Sequence, residues 1–163
     1  MSKNVPLSEL ESMTDILYKN PNSNHNVVLS IDQLSNYYET NIQSFSELFD
    51  YFNNTKIDTC RFYILQILIK ITNNNYTKFS NDDKNNFRSA LFYNFDKCIN
   101  LLTQKQYIGN KFSVLYISWL KYDYPEQWPD AFKILLESTY SSDNNNDKLL
   151  KLSKITLILL INY

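Results

Sequence analysis

Few side chains in this sequence are of a type that performs catalysis or binds metal ions. The chain has one histidine, His25, which follows an Asn-rich segment. A metal cluster or a Ser-His-Asp arrangement would depend on this single residue, so we expect His25 to be a solvated polar side chain. The two cysteines, Cys60 and Cys98, are too few for a disulfide framework and lie within predicted helices. We expect both to be buried, reduced thiols.

Two pairs of carboxylates are close enough in sequence to be considered for acid–base chemistry. They are Asp82-Asp83 and Asp143/Asp147, and both pairs fall where helices are predicted to begin. Acidic side chains suit that position because they complement the positive end of the helix dipole. Ser80 precedes the first pair and is the expected N-cap residue of its helix. We therefore interpret these carboxylates as capping groups.

The composition indicates a folded, helical protein. Of 163 residues, 44% are hydrophobic and 20% are charged, a balance that supports a core. The single glycine, Gly109, excludes a Gly-rich phosphate loop and disfavours all-β and Rossmann-type folds, which need glycines at their turns. We predict long helices, no enzyme activity and no cofactor or metal.

Charge and hydropathy limit the kinds of partner that this chain can bind alone. The formal net charge is −1, whereas tight non-specific binding of nucleic acid requires neutralisation of phosphates by basic residues. No apolar run reaches the roughly 18–20 residues that span a bilayer, and the first residues lack an apolar signal core. The 13 Tyr and 10 Phe fall mostly on apolar stripes, which favours core packing over base stacking. We expect a cytosolic or nuclear protein.

Apolar residues recur at helical spacing along the whole chain. Two of the segments, 57–71 and 147–161, are apolar on most faces, as is typical of a helix that packs between neighbouring helices. For 57–71 a β-strand is an alternative to the predicted helix. The Asn-rich segments 20–24, 53–55, 73–75 and 143–146 predict solvated loops. The predicted helices are 7–17, 27–38, 42–52, 57–71, 81–103, 106–122, 126–140 and 147–161.

The helices follow one another with the spacing of a repeat. Alternate helices begin near 27, 57, 107 and 147, a mean spacing of about 40 residues, close to the roughly 40–47 residues of HEAT-type helical hairpins. The individual spacings are irregular, and a compact helix bundle would give similar stripes. We predict an all-α HEAT-repeat solenoid of about four hairpins over 1–163, the last of them incomplete.

A corner marked by two prolines separates the helices predicted at 106–122 and 126–140. Pro125 is expected in the first turn of the second helix, where its missing N–H costs nothing. Trp128 is expected to reach back over the corner and join the two helices. Asn110 and Lys111, near the start of the first helix, either bind backbone carbonyls of a neighbouring repeat or are exposed.

This stretch resembles the exportins of the importin-β superfamily. In that family an Asn-Lys helix, here Asn110-Lys111, precedes a Tyr-Pro-x-x-Trp corner, here Tyr124 to Trp128 followed by Pro129. The segment from Cys60 to Leu68 is similar to the helix of the family's second repeat. The likeness covers about 57–140 and is strongest to the tRNA exportins. The sequence departs from the family at Gly109, where Arg or Lys is usual.

The resemblance implies the N-terminal region of a nuclear export receptor for tRNA. Such a receptor shuttles between nucleus and cytoplasm, binds Ran-GTP through its N-terminal repeats, holds tRNA mainly through surfaces shared with later repeats, and contacts nuclear pore proteins. The second helix of each hairpin, taken as 81–103 and 126–140, would line the concave face. Polar positions off the apolar stripes are the expected partner contacts: Arg88, Lys97, Asp130 and Lys133.

Two other functions fit the same sequence. One is a receptor of the same superfamily that carries protein or another RNA. The other is a HEAT-type scaffold unrelated to transport, or a truncated relative of a receptor that has lost transport.

Overall fold

The computed structural model describes residues 5–19 and 25–140, with side chains described except at 25–31, 42, 95–104, 135–136 and 138–140. Within this part of the chain all regular structure is helical, so the predicted all-α fold is confirmed. The helices are α1 Leu7–Lys19, α2 His25–Thr40, α3 Phe45–Asn54, α4 Asp58–Asn75, α5 Asn81–Gln104, α6 Gln106–Asp123 and α7 Ala131–Tyr140, with 3₁₀ turns at Ile42–Ser44 and Tyr76–Lys78.

The chain divides into two compact units, residues 1–90 and 91–163. The first unit is built around α4, against which α1, α2 and α3 all pack. A helix with neighbours on three sides must be apolar on most of its surface, which explains the continuous apolar run read in the sequence. The strand alternative for 57–71 is wrong. The buried apolar residues of α4 are Cys60, Ile64, Leu65, Ile67, Leu68 and Ile71.

Helices α2 and α4 run side by side in the same direction. Lys70 Nζ donates to Ser35 Oγ at 3.2 Å, and Asn74 Nδ2 donates to Glu39 Oε2 at 3.3 Å. Both pairs are separated by 35 residues, and a constant difference in residue number is the mark of parallel neighbours. Consecutive helices also pack on each other, α1 on α2 and α3 on α4.

Arg61 fixes the short connection between α3 and α4. Its Nη2 donates to the carbonyl of Thr55 at 2.5 Å and its Nη1 pairs with Asp58 at 3.0 Å. The Thr55 hydroxyl in turn donates to Glu11 of α1 at 2.5 Å. Because Thr55 is buried, water does not compete for these groups, and the hydrogen bonds contribute more to folding stability than they would at the surface. The connection and α1 are thereby tied to the start of α4.

Residues Asn81 to Ala90 of α5 belong to the first unit and begin with the predicted cap. Ser80 Oγ accepts a hydrogen bond from the backbone N–H of Asp83 at 3.1 Å, and Asp83 Oδ2 accepts one from the backbone N–H of Ser80 at 3.4 Å. This reciprocal arrangement satisfies the otherwise unpaired donors at the helix start. One turn later Phe87 is buried, with its ring 5.0 Å from Phe45 and 5.3 Å from Phe49. The prediction for Ser80 is confirmed.

The second unit contains α6 and α7. Helix α6 buries a continuous apolar face that includes Ile108, Phe112, Leu115, Tyr116, Trp119 and Leu120. The expected start of α7 at 126 is wrong, because the helix begins at Ala131. Trp128 precedes Pro129, and the ring of a proline disfavours helical backbone in the residue before it. Pro125 therefore lies in the turn that follows α6 rather than in the first turn of α7.

Two of the Asn-rich segments are not loops. Asn53 and Asn54 form the end of α3, where their side-chain amides donate back to the carbonyls of Phe49 and Asp50, each at 2.9 Å. Residues 73–75 form the last turn of α4, where Asn75 is buried and donates to the carbonyl of Glu39 at 3.1 Å. The predicted loops at 20–24 and 143–146 and the helix at 147–161 lie outside the described residues.

Candidate functional site

The corner between α6 and α7 is sealed by aromatic packing. Trp128 is 8% exposed, and its ring lies 5.2 Å from that of Tyr116, centroid to centroid. The Tyr116 hydroxyl crosses the corner and donates to the carbonyl of Ala131, the first residue of α7, at 3.2 Å. Burial raises the pKa of this phenol above its ordinary value, so it stays protonated and able to donate. Trp128 therefore packs against α6 at the corner that leads to α7.

A buried carboxylate that the sequence reading did not single out closes the same corner. Trp119 and Asp123 are both fully buried, and Trp119 Nε1 donates to Asp123 Oδ2 at 2.6 Å. The backbone carbonyl of Asp123 accepts from the N–H groups of Gln127 and Trp128, at 2.7 and 3.0 Å. The i, i+4 spacing of a Trp and an Asp at the end of a predicted helix is the signal that could have found this pair.

The remaining signature residues of the corner face solvent. Tyr124 is 39% exposed and packs edge-on against Phe132, with centroids 4.9 Å apart. Pro125 and Pro129 are exposed, and the peptide bond between Tyr124 and Pro125 is cis. The corner thus combines a buried interior with an outer surface that includes one aromatic ring and two prolines.

Asn110 and Lys111 lie in the second turn of α6. Asn110 is exposed, which matches one of the two alternatives predicted for it. Lys111 is partly buried, and this desolvation lowers the pKa of its ammonium group. Both residues belong to α6.

The four expected partner contacts are distributed over both compact units. Arg88 belongs to the first unit and donates to Asn85 on its own helix. Asp130 and Lys133 belong to the second unit, where Asp130 lies in the turn before α7 and Lys133 pairs with Glu137 at 3.9 Å. The side chain of Lys97 lies outside the described residues.

A second candidate site is the polar seam between α2 and α4, which we define as Asp32, Ser35, Glu39, Tyr63, Gln66, Lys70 and Asn74. Lys70 bridges the two helices, through its bond to Ser35 and a 3.8 Å ion pair with Glu39. Beside this bridge lies a cleft of about 90 Å³ lined by Asp32, Ser35, Tyr63, Gln66, Ile67 and Lys70. Its floor is the buried side chain of Ile67.

The sequence reading missed the seam because its residues are 35 positions apart. Each helix on its own shows polar residues on the face opposite the apolar stripe, which is the pattern of any exposed helix surface. Only the parallel packing of α2 on α4 brings the two polar faces together. The seam is nevertheless a polar surface that two parallel helices share.

Of the histidine and cysteine residues considered for catalysis, the structure describes the side chain of Cys60. Cys60 is a buried free thiol, and burial raises its pKa, which keeps it unreactive. His25 is the first residue of α2, and its side chain lies outside the description, as does that of Cys98. Within residues 5–19 and 25–140, no group of His, Cys, Asp and Glu side chains is arranged to hold a metal ion. None of the helices described there is long and apolar enough to cross a membrane.

The fold and the two sites define an all-α protein whose first unit packs α1, α2 and α3 around α4. No family model, curated protein or solved structure matches the chain.

Proposed function

We propose that this chain is the N-terminal, Ran-GTP-binding part of a nuclear export receptor of the tRNA exportin type, built as a solenoid of HEAT-like helical hairpins. The observation that carries the proposal is the Tyr-Pro-x-x-Trp-Pro corner at 124–129. Its residues are divided as an elbow between stacked helices requires, with Trp128 buried against Tyr116 and both prolines outside.

The packing of the first unit supports the solenoid. In a stack of helical hairpins, equivalent helices of successive repeats lie side by side and run in the same direction. Helices α2 and α4 have this relation, with an offset of 35 residues between hydrogen-bonded partners. The offset is somewhat shorter than the roughly 40–47 residues typical of HEAT repeats, as expected where the α3–α4 connection is only three residues long.

The same packing changes which helices we assign to the binding face. We take α1 with α2 and α3 with α4 as the hairpins because the helices of each pair pack on each other, which begins the pairing one helix earlier than the sequence reading assumed. The second helices of the hairpins are then α2 and α4, and the seam between them replaces 81–103 and 126–140 as the proposed face for Ran-GTP. The seam carries a negative charge on Glu39 and a positive charge on Lys70. A partner with a complementary pattern of charges would be preferred over one without it.

Export then depends on linkage between two ligands. Ran-GTP and tRNA each favour the same conformation of the receptor, so each raises the affinity of the other. The formal net charge of −1 argues that this segment does not hold tRNA alone, and that later repeats supply the basic surface. Contacts with nuclear pore proteins and shuttling between nucleus and cytoplasm follow from the same proposal.

Binding of Ran to the immobilised chain tests the proposal. We expect retention of Ran locked in its GTP form and none of the GDP form. Charge reversal on the seam, Lys70→Glu, is expected to weaken retention, whereas Lys56→Glu is the matched control because Lys56 is exposed between α3 and α4. Far-UV circular dichroism of both variants verifies that the helices are intact.

The outcomes separate the alternatives. Retention that does not depend on the nucleotide, or no retention, contradicts the proposal and favours a helical scaffold without a transport role. If Ran-GTP binds, competition between tRNA and protein cargo on the complete receptor distinguishes a tRNA exporter from a receptor with other cargo.

A further inference from the structure

The cleft on the α2–α4 seam has polar groups with unused hydrogen-bonding capacity. Asp32 is exposed at its rim, and Tyr63 and Gln66 are half-buried in its wall. In the contacts of the described residues, the Asp32 carboxylate, the Tyr63 hydroxyl and the Gln66 amide have no hydrogen-bond or ion-pair partner. The other polar groups of the lining are engaged, since Ser35 accepts from Lys70 and Lys70 also pairs with Glu39.

The charges along the two helices favour a cation in this cleft. Helix α2 carries Asp32 and Glu39 and no Lys or Arg, and α4 carries Asp58, Arg61 and Lys70. Asp58 pairs with Arg61, and Glu39 pairs with Lys70. One carboxylate, that of Asp32, is left uncompensated at the rim of the cleft. The Lys70 ammonium also lines the cleft but is paired with Glu39, so the uncompensated charge there is that of Asp32, which attracts a cation and repels an anion.

The size of the cleft limits its occupant to one side chain. Its volume of about 90 Å³ exceeds several times the roughly 10–15 Å³ that one water molecule requires, but is far below the roughly 300–1,000 Å³ of pockets for small molecules. The apolar floor formed by Ile67 suits an aliphatic stem, and the polar rim suits a charged end. Among basic side chains, a guanidinium presents several donors in a plane and stacks on aromatic rings such as that of Tyr63.

We propose that the cleft on the α2–α4 seam binds an arginine side chain presented by a partner protein. The stem lies over Ile67, and the guanidinium donates to Asp32 and to the oxygen atoms of Tyr63 or Gln66. This inference rests on the proposed function in one respect, because a partner must dock on the seam to supply the arginine. The identity of that partner does not enter the chemistry.

The test uses the complete chain, labelled with ¹⁵N, and a capped peptide, acetyl-Gly-Arg-Gly-amide. We expect amide shifts confined to the neighbourhood of Asp32, Ser35, Tyr63, Gln66 and Ile67. The control peptide replaces arginine by citrulline, which has nearly the same shape without the charge. We expect it to bind about two- to five-fold more weakly, the range of an exposed ion pair. Asp32→Asn should remove this difference, and Asp50→Asn, at another exposed carboxylate of the same unit, should preserve it.

Equal amide shifts with the arginine and the citrulline peptide would overturn the inference, as would shifts of residues away from the cleft. The absence of any shift up to about 20 mM peptide, which is above the 1 mM scale of weak complexes, would also overturn it. So would displacement of the peptide by inorganic phosphate. Failure here is distinguishable from failure of the proposed function. Retention of Ran-GTP together with equal shifts for the arginine and citrulline peptides would keep the receptor function and refute the arginine site.

Discussion

Loss of the hydrogen bond between Trp119 and Asp123 should destabilise the α6–α7 corner more than any exposed change nearby. Both side chains are fully buried and their bond is 2.6 Å long, so no water replaces a lost partner. We propose three variants: Trp119→Phe, which removes the donor, Asp123→Ala, which removes the acceptor, and the double variant. Each single variant also alters packing and other contacts. The coupling energy from the double-mutant cycle isolates the interaction between the two side chains.

The magnitude follows from the burial and the charge of the acceptor. Hydrogen bonds to charged groups contribute about 1.5–3 kcal/mol, and a buried group left without its partner costs about 1–3 kcal/mol. We therefore expect each single variant to lower the free energy of unfolding by about 2–4 kcal/mol. The double variant should cost less than the sum, with a coupling energy of about 1.5–3 kcal/mol, because removing both partners leaves neither one unpaired.

Urea denaturation followed by circular dichroism at helical wavelengths measures these changes with one probe for all variants. Tryptophan fluorescence is unsuitable because one of the only two tryptophans is replaced. Lys121→Gln, on an exposed position of the same helical turn, is the control and should change stability by less than about 0.5 kcal/mol. A coupling energy below about 0.5 kcal/mol would refute the reasoning, since distant independent sites give values of that size.

Two further predictions concern the first unit. Ser80→Ala should lower the free energy of unfolding by about 1 kcal/mol, because the backbone N–H of Asp83 loses its hydrogen-bond acceptor. Thr77→Ala is the control and should have little effect. Equal urea midpoints for the two variants would contradict the capping role of Ser80. Burial and a hydrogen bond to Glu47 raise the pKa of Tyr51 from 10.0 to about 12. The stability linked to this proton is complete below pH 10 and is lost as the pH rises toward 12, so urea midpoints should fall over that interval, and fall less in Tyr51→Phe. The same decline in both proteins would disprove the link.

The helices could be predicted from the sequence because their signal is local. Apolar residues at 3.6-residue spacing mark the buried face of each element, and the residues on these stripes, such as Leu48, Ile64 and Phe87, are fully buried. The cap at Ser80 was equally local, since donor and acceptor lie within four residues of each other. Features that depend on residues within one helical turn can therefore be predicted from the sequence alone.

Other features could not be read because they depend on packing between helices. The Asn segments were taken as loops from their intrinsic preference, yet Asn75 is buried in α4 because α2 supplies the carbonyl of Glu39. The seam required the register of α2 on α4, which the apolar pattern of either helix does not contain. The start of α7 was a different error, since the effect of Pro129 on Trp128 is local and was available in the sequence.

The buried residues of the α6–α7 corner and the residues proposed to bind a partner are different sets. Trp119, Asp123 and Trp128 are buried, so they contribute to folding and cannot touch another protein unless the corner opens. Asp32 and Tyr63 border an accessible cleft and take no part in the core. Variants of the corner should therefore change stability and alter binding only through loss of structure, whereas variants of the seam should change binding at constant stability. Measuring both quantities on both sets of variants separates the architecture of the chain from its function.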